Sequence, residues 1–193
     1  MKKRYKILLG VFALSAFLLS GCAKADTDKP AESVSGLETA SGAASETESS
    51  ADSITFEGTD LEGNAISSDI FAQSKLTMVN VWATYCAPCL NEMPSLGELA
   101  EEYDTEDFQI IGIVSDMQEG KDQSLAENLV EQTGASYPHL LLNESIYYGL
   151  LTDVTAVPTT FFIDKDGEVL DVVIGAMKKT AWEEKINGLL EGL

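Results

Sequence analysis

The chain has 193 residues, and 12 lysines and arginines against 32 aspartates and glutamates give it a formal charge of −20 at neutral pH. So acidic a balance repels nucleic acid and anionic headgroups, which excludes electrostatic binding to either. Any membrane attachment must therefore come from a lipid rather than from basic side chains.

The first residues depart from that balance. Lys2, Lys3, Arg4 and Lys6 precede an uncharged stretch from Ile7 to Leu19, followed by Ser20-Gly21-Cys22. A basic start, a short apolar run and small residues describe a secretory signal. The run is too short for a bilayer span, which needs about 20 residues, so an uncleaved anchor is the weaker reading. Leu19-Ser20-Gly21-Cys22 resembles the bacterial lipobox, whose cysteine is lipidated and becomes the first residue of the mature protein. That resemblance implies a lipoprotein signal peptide over 1–21, lipid on Cys22, and a site of action on the extracytoplasmic face of the cell membrane. Cleavage removes four positive charges and the only arginine, taking the formal charge from −20 to −24.

Residues 23–53 are rich in Ala, Ser, Thr, Glu and Gly, lack aromatics, and hold only Val34 and Leu37 as large aliphatics. Such a stretch cannot bury enough apolar surface to offset chain entropy, so 22–53 is predicted to be a lipidated cysteine and disordered tether. A flexible coil of that length spans roughly 30 Å root-mean-square. Residues 54–193 then form one domain of ordinary size.

Within it, Thr77–Trp82 and Ile110–Val114 read as strands apolar on both faces, the pattern of a parallel sheet. Leu96, Leu99, Ala100 and Tyr103 recur between them at helical spacing, which makes a β-α-β unit. A second helix is predicted around Gln123–Gln132. Phe161–Ile163, a turn at Asp164-Lys165-Asp166-Gly167, and Val169–Ile174 read as a hairpin. The chain closes on a helix opened by Thr180-x-x-Glu183, read as a capping box, with Trp182, Ile186, Leu189 and Leu193 on one face. The expected architecture is α/β: a central mixed sheet with helices on both faces and an N-terminal β extension.

The chemistry concentrates at Cys86-Ala87-Pro88-Cys89, where the first strand gives way to the first helix. With Cys22 removed by lipidation, only these two cysteines remain. The loop they close is too short to staple a fold, so their value is chemical. Backbone N–H groups at a helix N-terminus stabilise a thiolate and lower thiol pKa values. Pro88 is tolerated in a first turn. Cys86, before the helix, is expected to be the more exposed and to attack a disulfide. Cys89, expected to be buried, then resolves the mixed disulfide. A zinc site needs four ligands, and the domain offers only these cysteines, His139 and carboxylates. An inert disulfide is the other bland reading. No metal and no cofactor beyond a redox-active Cys86–Cys89 disulfide is expected.

Val79-Asn80-Val81-Trp82-Ala83-Thr84-Tyr85-Cys86-Ala87-Pro88-Cys89-Leu90-Asn91-Glu92-Met93-Pro94 resembles the active-site stretch of the thioredoxin superfamily, and more narrowly of its TlpA/ResA group of membrane-tethered thiol-disulfide oxidoreductases. Val157-Pro158-Thr159-Thr160-Phe161-Phe162-Ile163-Asp164, about 70 residues on, resembles the second motif of that group. The resemblance implies a thioredoxin-like fold, a cis Pro158 facing the disulfide, and substrate contacts from Trp82, Tyr85, Pro88, Val157 and Pro158. It also implies a role for Glu92, which shares the helix face of Cys89, in moving a proton or tuning the thiols; an ordinary solvated glutamate is the alternative. Asn80 stands where thioredoxins proper carry a buried aspartate, and Pro94 is expected to kink the helix. Tyr85 and Ala156 depart from the group's usual tryptophan and glycine. His139 is given no role and is read as a loop or strand-edge residue.

The resemblance further implies a monomeric reductase that keeps exported cysteines reduced, drawing electrons from an integral membrane thiol transporter. Its clients would be exported disulfide proteins such as apocytochrome c or an exported methionine sulfoxide reductase. A copper-handling thioredoxin-fold protein is disfavoured by the C-x-x-C spacing. A non-catalytic surface lipoprotein gives no reason for a complete Cys-Ala-Pro-Cys.

Overall fold

A computed structural model describes residues 54–193. The signal peptide expected over 1–21, the lipidated Cys22 and the tether expected up to residue 53 lie outside the described residues.

The five-stranded sheet is built around β3 (Leu76–Trp82), buried along its whole length. It pairs in parallel with β4 (Phe108–Gln118), which pairs in parallel with β5 (His139–Leu142). On its other side β3 pairs antiparallel with β6 (Thr159–Asp164), followed by β7 (Val169–Ile174), giving the order β5-β4-β3-β6-β7. A smaller hairpin of β1 (Glu57–Thr59) and β2 (Ala65–Ser67) forms the N-terminal β extension and bridges to β5 at Asp60–Leu140.

Alternation along β3 sorts the core into two layers. Met78 and Trp82 cluster with α1 (Ala87–Glu102), α2 (Ser124–Thr133) and α4 (Lys179–Leu190). Val79 and Val81 cluster with Phe71 of a 3-10 helix (Ser68–Gln73), with Ile146 of the short α3 (Glu144–Ile146), and with Leu150 and Leu151 of the π-helical turn Tyr147–Leu151. Helical segments thus cover both faces. Trp182 and Ile186, both at 0% exposure, anchor α4, each contributing roughly 1.5–3 kcal/mol by burial.

One expectation of the fold changes. The capping box at Thr180 does not form: the N–H groups of Ala181 and Trp182 both bond the carbonyl of Lys178, so the helix starts before Thr180, which is already helical. Lys178, the cap residue, makes no side-chain capping bond. His139 is the first residue of β5, at an edge of the sheet, so its strand-edge reading holds, and its side chain is buried. The segment 139–151, unassigned from sequence, supplies both a strand and the α3–π turn.

Candidate active site

The site is assembled where β3 ends. Ala83 to Cys86 make a tight turn closed by the Cys86 N–H on the Ala83 carbonyl, 3.0 Å. Asp116 grips that turn: its carboxylate accepts from the Thr84 N–H at 3.0 and 3.2 Å and from the Thr84 hydroxyl at 2.6 Å. The β4–β5 register shifts just after Val114, and Asp116 lies in that irregular stretch.

Cys86 is the N-cap of α1, Pro88 lies in its first turn, and no acidic residue occupies that turn. Cys86 and Cys89 are joined in a disulfide. The Cys86 Sγ accepts from the Cys89 N–H at 3.3 Å, so the sulfur of the first cysteine sits on the positive end of the helix. Exposure is 6% at Cys86 and 0% at Cys89. The expected order holds, although Cys86 offers only a narrow window.

Val157–Pro158 is cis. The Pro158 carbonyl accepts from Gly175 N–H at 2.8 Å, and the Thr159 hydroxyl donates to the Ala156 carbonyl at 2.8 Å, fixing the loop from both ends. Tyr85, at 77% exposure, and Pro88 stand at the surface beside the disulfide, while Val157 is half-buried.

Glu92 is not a solvated helix glutamate. It is 3% exposed, and its carboxylate accepts from Asn80 Nδ2 at 3.2 Å and from the Met177 N–H at 3.0 Å. Burial raises its pKa above the usual carboxylate range, and the bonds from Met177 and Asn80 pull the other way. Asn80 also donates to the Thr160 hydroxyl at 3.0 Å. One amide therefore links the carboxylate below the cysteine helix to the strand that follows the cis proline.

Trp82 does not contact substrate as expected. Its side chain is 0% exposed because strand alternation turns it under α1, and its indole N–H donates to His139 Nδ1 at 3.1 Å. It is a floor beneath the site. His139, to which sequence reasoning assigns no role, holds that floor, and burial drives its pKa down to about 4. Asp116 and the Met177 N–H leave no signal in the sequence, since they reach the site across long separations; Thr160 falls within the second motif, but its bond from Asn80 is not readable there. Pro94 lies within α1. No cluster of three or more His, Cys, Asp or Glu among the described residues is placed to hold a metal.

This arrangement carries a dithiol–disulfide couple at a helix N-terminus, beside an exposed aromatic and above a buried carboxylate. Comparisons with known proteins agree with it. Residues 46–190 match the family model described as Redoxin. The chain is 34% identical over 134 residues to thiol-disulfide oxidoreductase ResA of Bacillus thuringiensis (strain Al Hakam), covering 69% of this chain and 71% of that one. Among solved structures, a thiol:disulfide interchange protein of the thioredoxin family from Chlorobium tepidum TLS superposes with a TM-score of 0.62 at 24% identity, covering 72% of this chain and 94% of that one. The pneumococcal exposed lipoprotein thioredoxin Etrx1 from Streptococcus pneumoniae TIGR4 has a TM-score of 0.57 at 24% identity, covering 69% and 98%. The two structures bear on the fold alone.

Proposed function

Since the chain belongs to the redoxin family, among thiol-disulfide oxidoreductases of the ResA kind, we propose that it is a lipid-anchored, extracytoplasmic reductase of disulfides in exported proteins. The observation that carries the chemistry is the Cys86–Cys89 pair, with the first sulfur capping α1 and the second buried one turn on. The location rests on Lys2 to Cys22, read as a lipoprotein signal, and on the acidity of the rest of the chain.

In the reduced enzyme the Cys86 thiolate, favoured by the helix N-terminus, attacks one sulfur of a client disulfide. The client S–S bond breaks, a mixed disulfide with Cys86 forms, and the departing client thiolate takes a proton. Cys89, deprotonated, then attacks the Cys86 sulfur and expels the second client thiolate. Two electrons have passed to the client, and the enzyme holds the Cys86–Cys89 disulfide. Glu92, buried on α1 about one turn after Cys89, exchanges a proton with Cys89 in the resolving step. Tyr85, Pro88 and Val157 contact the client around the disulfide; Pro158, buried, shapes the loop that presents Val157. The next cycle needs a dithiol donor, for which an integral membrane thiol transporter is the fitting class, and candidate clients are apocytochrome c and exported methionine sulfoxide reductase.

Two measurements test this. Pre-reduced protein should reduce insulin disulfides, and Cys86→Ser should abolish that activity. Wild-type protein should fractionate with membranes with a diacylglycerol-modified Cys22, and Cys22→Ala should be released. Wild-type protein found free in the cytoplasm would end the extracytoplasmic reading while leaving the redox chemistry standing.

A further inference from the structure

Between the end of β4 and the segment Leu142–Tyr148 lies a cavity of about 520 Å³ to which the thiol chemistry assigns no task. None of the residues lining it belongs to the Cys86–Cys89 or Val157–Pro158 segments. Tyr147 and Tyr148 give it an aromatic corner: their rings lie 5.2 Å apart and are inclined at 82°. Both stay in contact with water, at 46% and 72% exposure. They open the π-helical turn Tyr147–Leu151, a rare conformation that is frequent at functional sites.

The charges in the lining are both negative, Glu119 and Glu144. Among the described residues no lysine forms an ion pair with either. Glu119 is fixed from two directions: one carboxylate oxygen accepts from the Thr59 hydroxyl, the other from Asn143 Nδ2 at 2.9 Å. These bonds hold its carboxyl below the usual range, so it stays ionised. Asn143 is fixed in turn. Its Oδ1 caps α3 by accepting from the Ile146 N–H at 2.8 Å, and its Nδ2 also donates to the Glu57 carbonyl at 2.9 Å. A preformed site loses little entropy on binding. The volume falls within the roughly 300–1,000 Å³ of small-molecule sites.

We propose that this cavity binds an organic cation bearing a quaternary trimethylammonium group, seated in the corner made by Tyr147 and Tyr148. A cation there meets π surface of both rings, whose faces are negative. Its charge is balanced by Glu119 and Glu144, which repel an anionic ligand from the same place. A primary ammonium is strongly hydrated and loses more on leaving water, whereas a methylated one surrenders little hydration and adds apolar contact. A metal ion fits less well, since no cluster of three or more His, Cys, Asp or Glu among the described residues is placed to hold one.

The test follows the tyrosine ring resonances of the full-length protein, isotope-labelled at tyrosine and held in a neutral maltoside detergent, at fixed ionic strength. The probe is choline. It is compared with its neutral isostere, in which carbon replaces nitrogen, with methylammonium, and with glycerophosphocholine as the soluble form of a lipid headgroup. Choline should bind about 5- to 30-fold more tightly than the neutral isostere, and more tightly than methylammonium. Tyr148→Phe, which keeps the ring, should retain binding. Tyr148→Ala and Glu144→Gln should each weaken it about threefold or more, with insulin reduction unchanged as the sign that the fold is intact. Glycerophosphocholine adds a phosphate that the carboxylates repel and should bind less tightly than choline; equal or tighter binding would identify a lipid headgroup as the source of the cation. No saturable shift with choline, or binding no tighter than that of the neutral isostere, would overturn the site. So would an affinity unchanged in both Tyr148→Ala and Glu144→Gln.

Discussion

Trp82 donates its indole N–H to Nδ1 of His139 across 3.1 Å, and the opposite ring nitrogen of His139 lies 2.9 Å from the Ala135 carbonyl. The pair of bonds assigns the tautomer: Nδ1 accepts, Nε2–H donates, and the ring is neutral. A charged ring, protonated at Nδ1, would break the bond from Trp82.

Stability should therefore depend on pH through His139. Burial lowers its pKa from 6.5 to about 4, so the fold favours the neutral ring. That contribution is fully present above pH 6.5 and is lost as pH falls through about 4. The shift corresponds to roughly 3 kcal/mol, read as an order of magnitude. Urea unfolding between pH 4 and 7 should show wild type weakening on acidification. His139→Gln, less stable at pH 7, should have a flatter profile. Parallel profiles would remove the buried ring as the cause.

Gly112 should prove inseparable from His139. A Cβ at Gly112 would overlap the imidazole, which packs directly over that backbone. Gly112→Ala should cost about 1–3 kcal/mol through overpacking. In a His139→Ala background the penalty should largely vanish, a coupling that a double-mutant cycle in denaturant measures. Additive losses would mean that the glycine serves something other than the ring.

The parts of this molecule legible in sequence are those governed by local rules. β3 is apolar on both faces, Cys86 and Cys89 have a characteristic spacing, and Trp182 and Ile186 fall one turn apart. What escaped was set by partners far along the chain. His139 looked idle because its value lies in Trp82, and Trp82 looked like a substrate contact because its motif said nothing of which way the strand faces. Thr180 resembled a cap by pattern, yet a cap needs extended backbone, and that falls at Lys178. The burial of Glu92 depends on Asn80 and on Met177, 85 residues away.

Glu92 should couple to the thiols and to stability together. Burial raises its pKa, so its protonated form is the one the fold favours. Stability from this group is present below the usual carboxylate value of 4.5 and is lost as pH rises through the folded value, each unit of elevation costing about 1.4 kcal/mol at neutral pH. Glu92→Gln should therefore gain stability relative to wild type as pH rises from 4 to 7, the reverse of the His139 effect. In the reduced protein, removing the charge should lower the apparent thiol pKa, because a carboxylate disfavours a neighbouring thiolate. Loss of the proton acceptor should separately slow the resolving step. Unchanged thiolate absorbance titrations and unchanged rates would leave Glu92 a structural residue only.

The division of labour between the two cysteines is the centre of the account, and trapping measures it directly. Pre-reduced Cys89→Ser and Cys86→Ser proteins are each mixed with a disulfide-bonded peptide at neutral pH, and the products are resolved by non-reducing mass spectrometry. Cys89→Ser should accumulate a covalent adduct through Cys86, because the attacking sulfur at the helix cap is intact and nothing resolves the mixed disulfide. Cys86→Ser, whose remaining sulfur is wholly buried, should form none. A stable adduct through Cys89 in Cys86→Ser, or faster alkylation of Cys89 than of Cys86 in the reduced wild type, would contradict it.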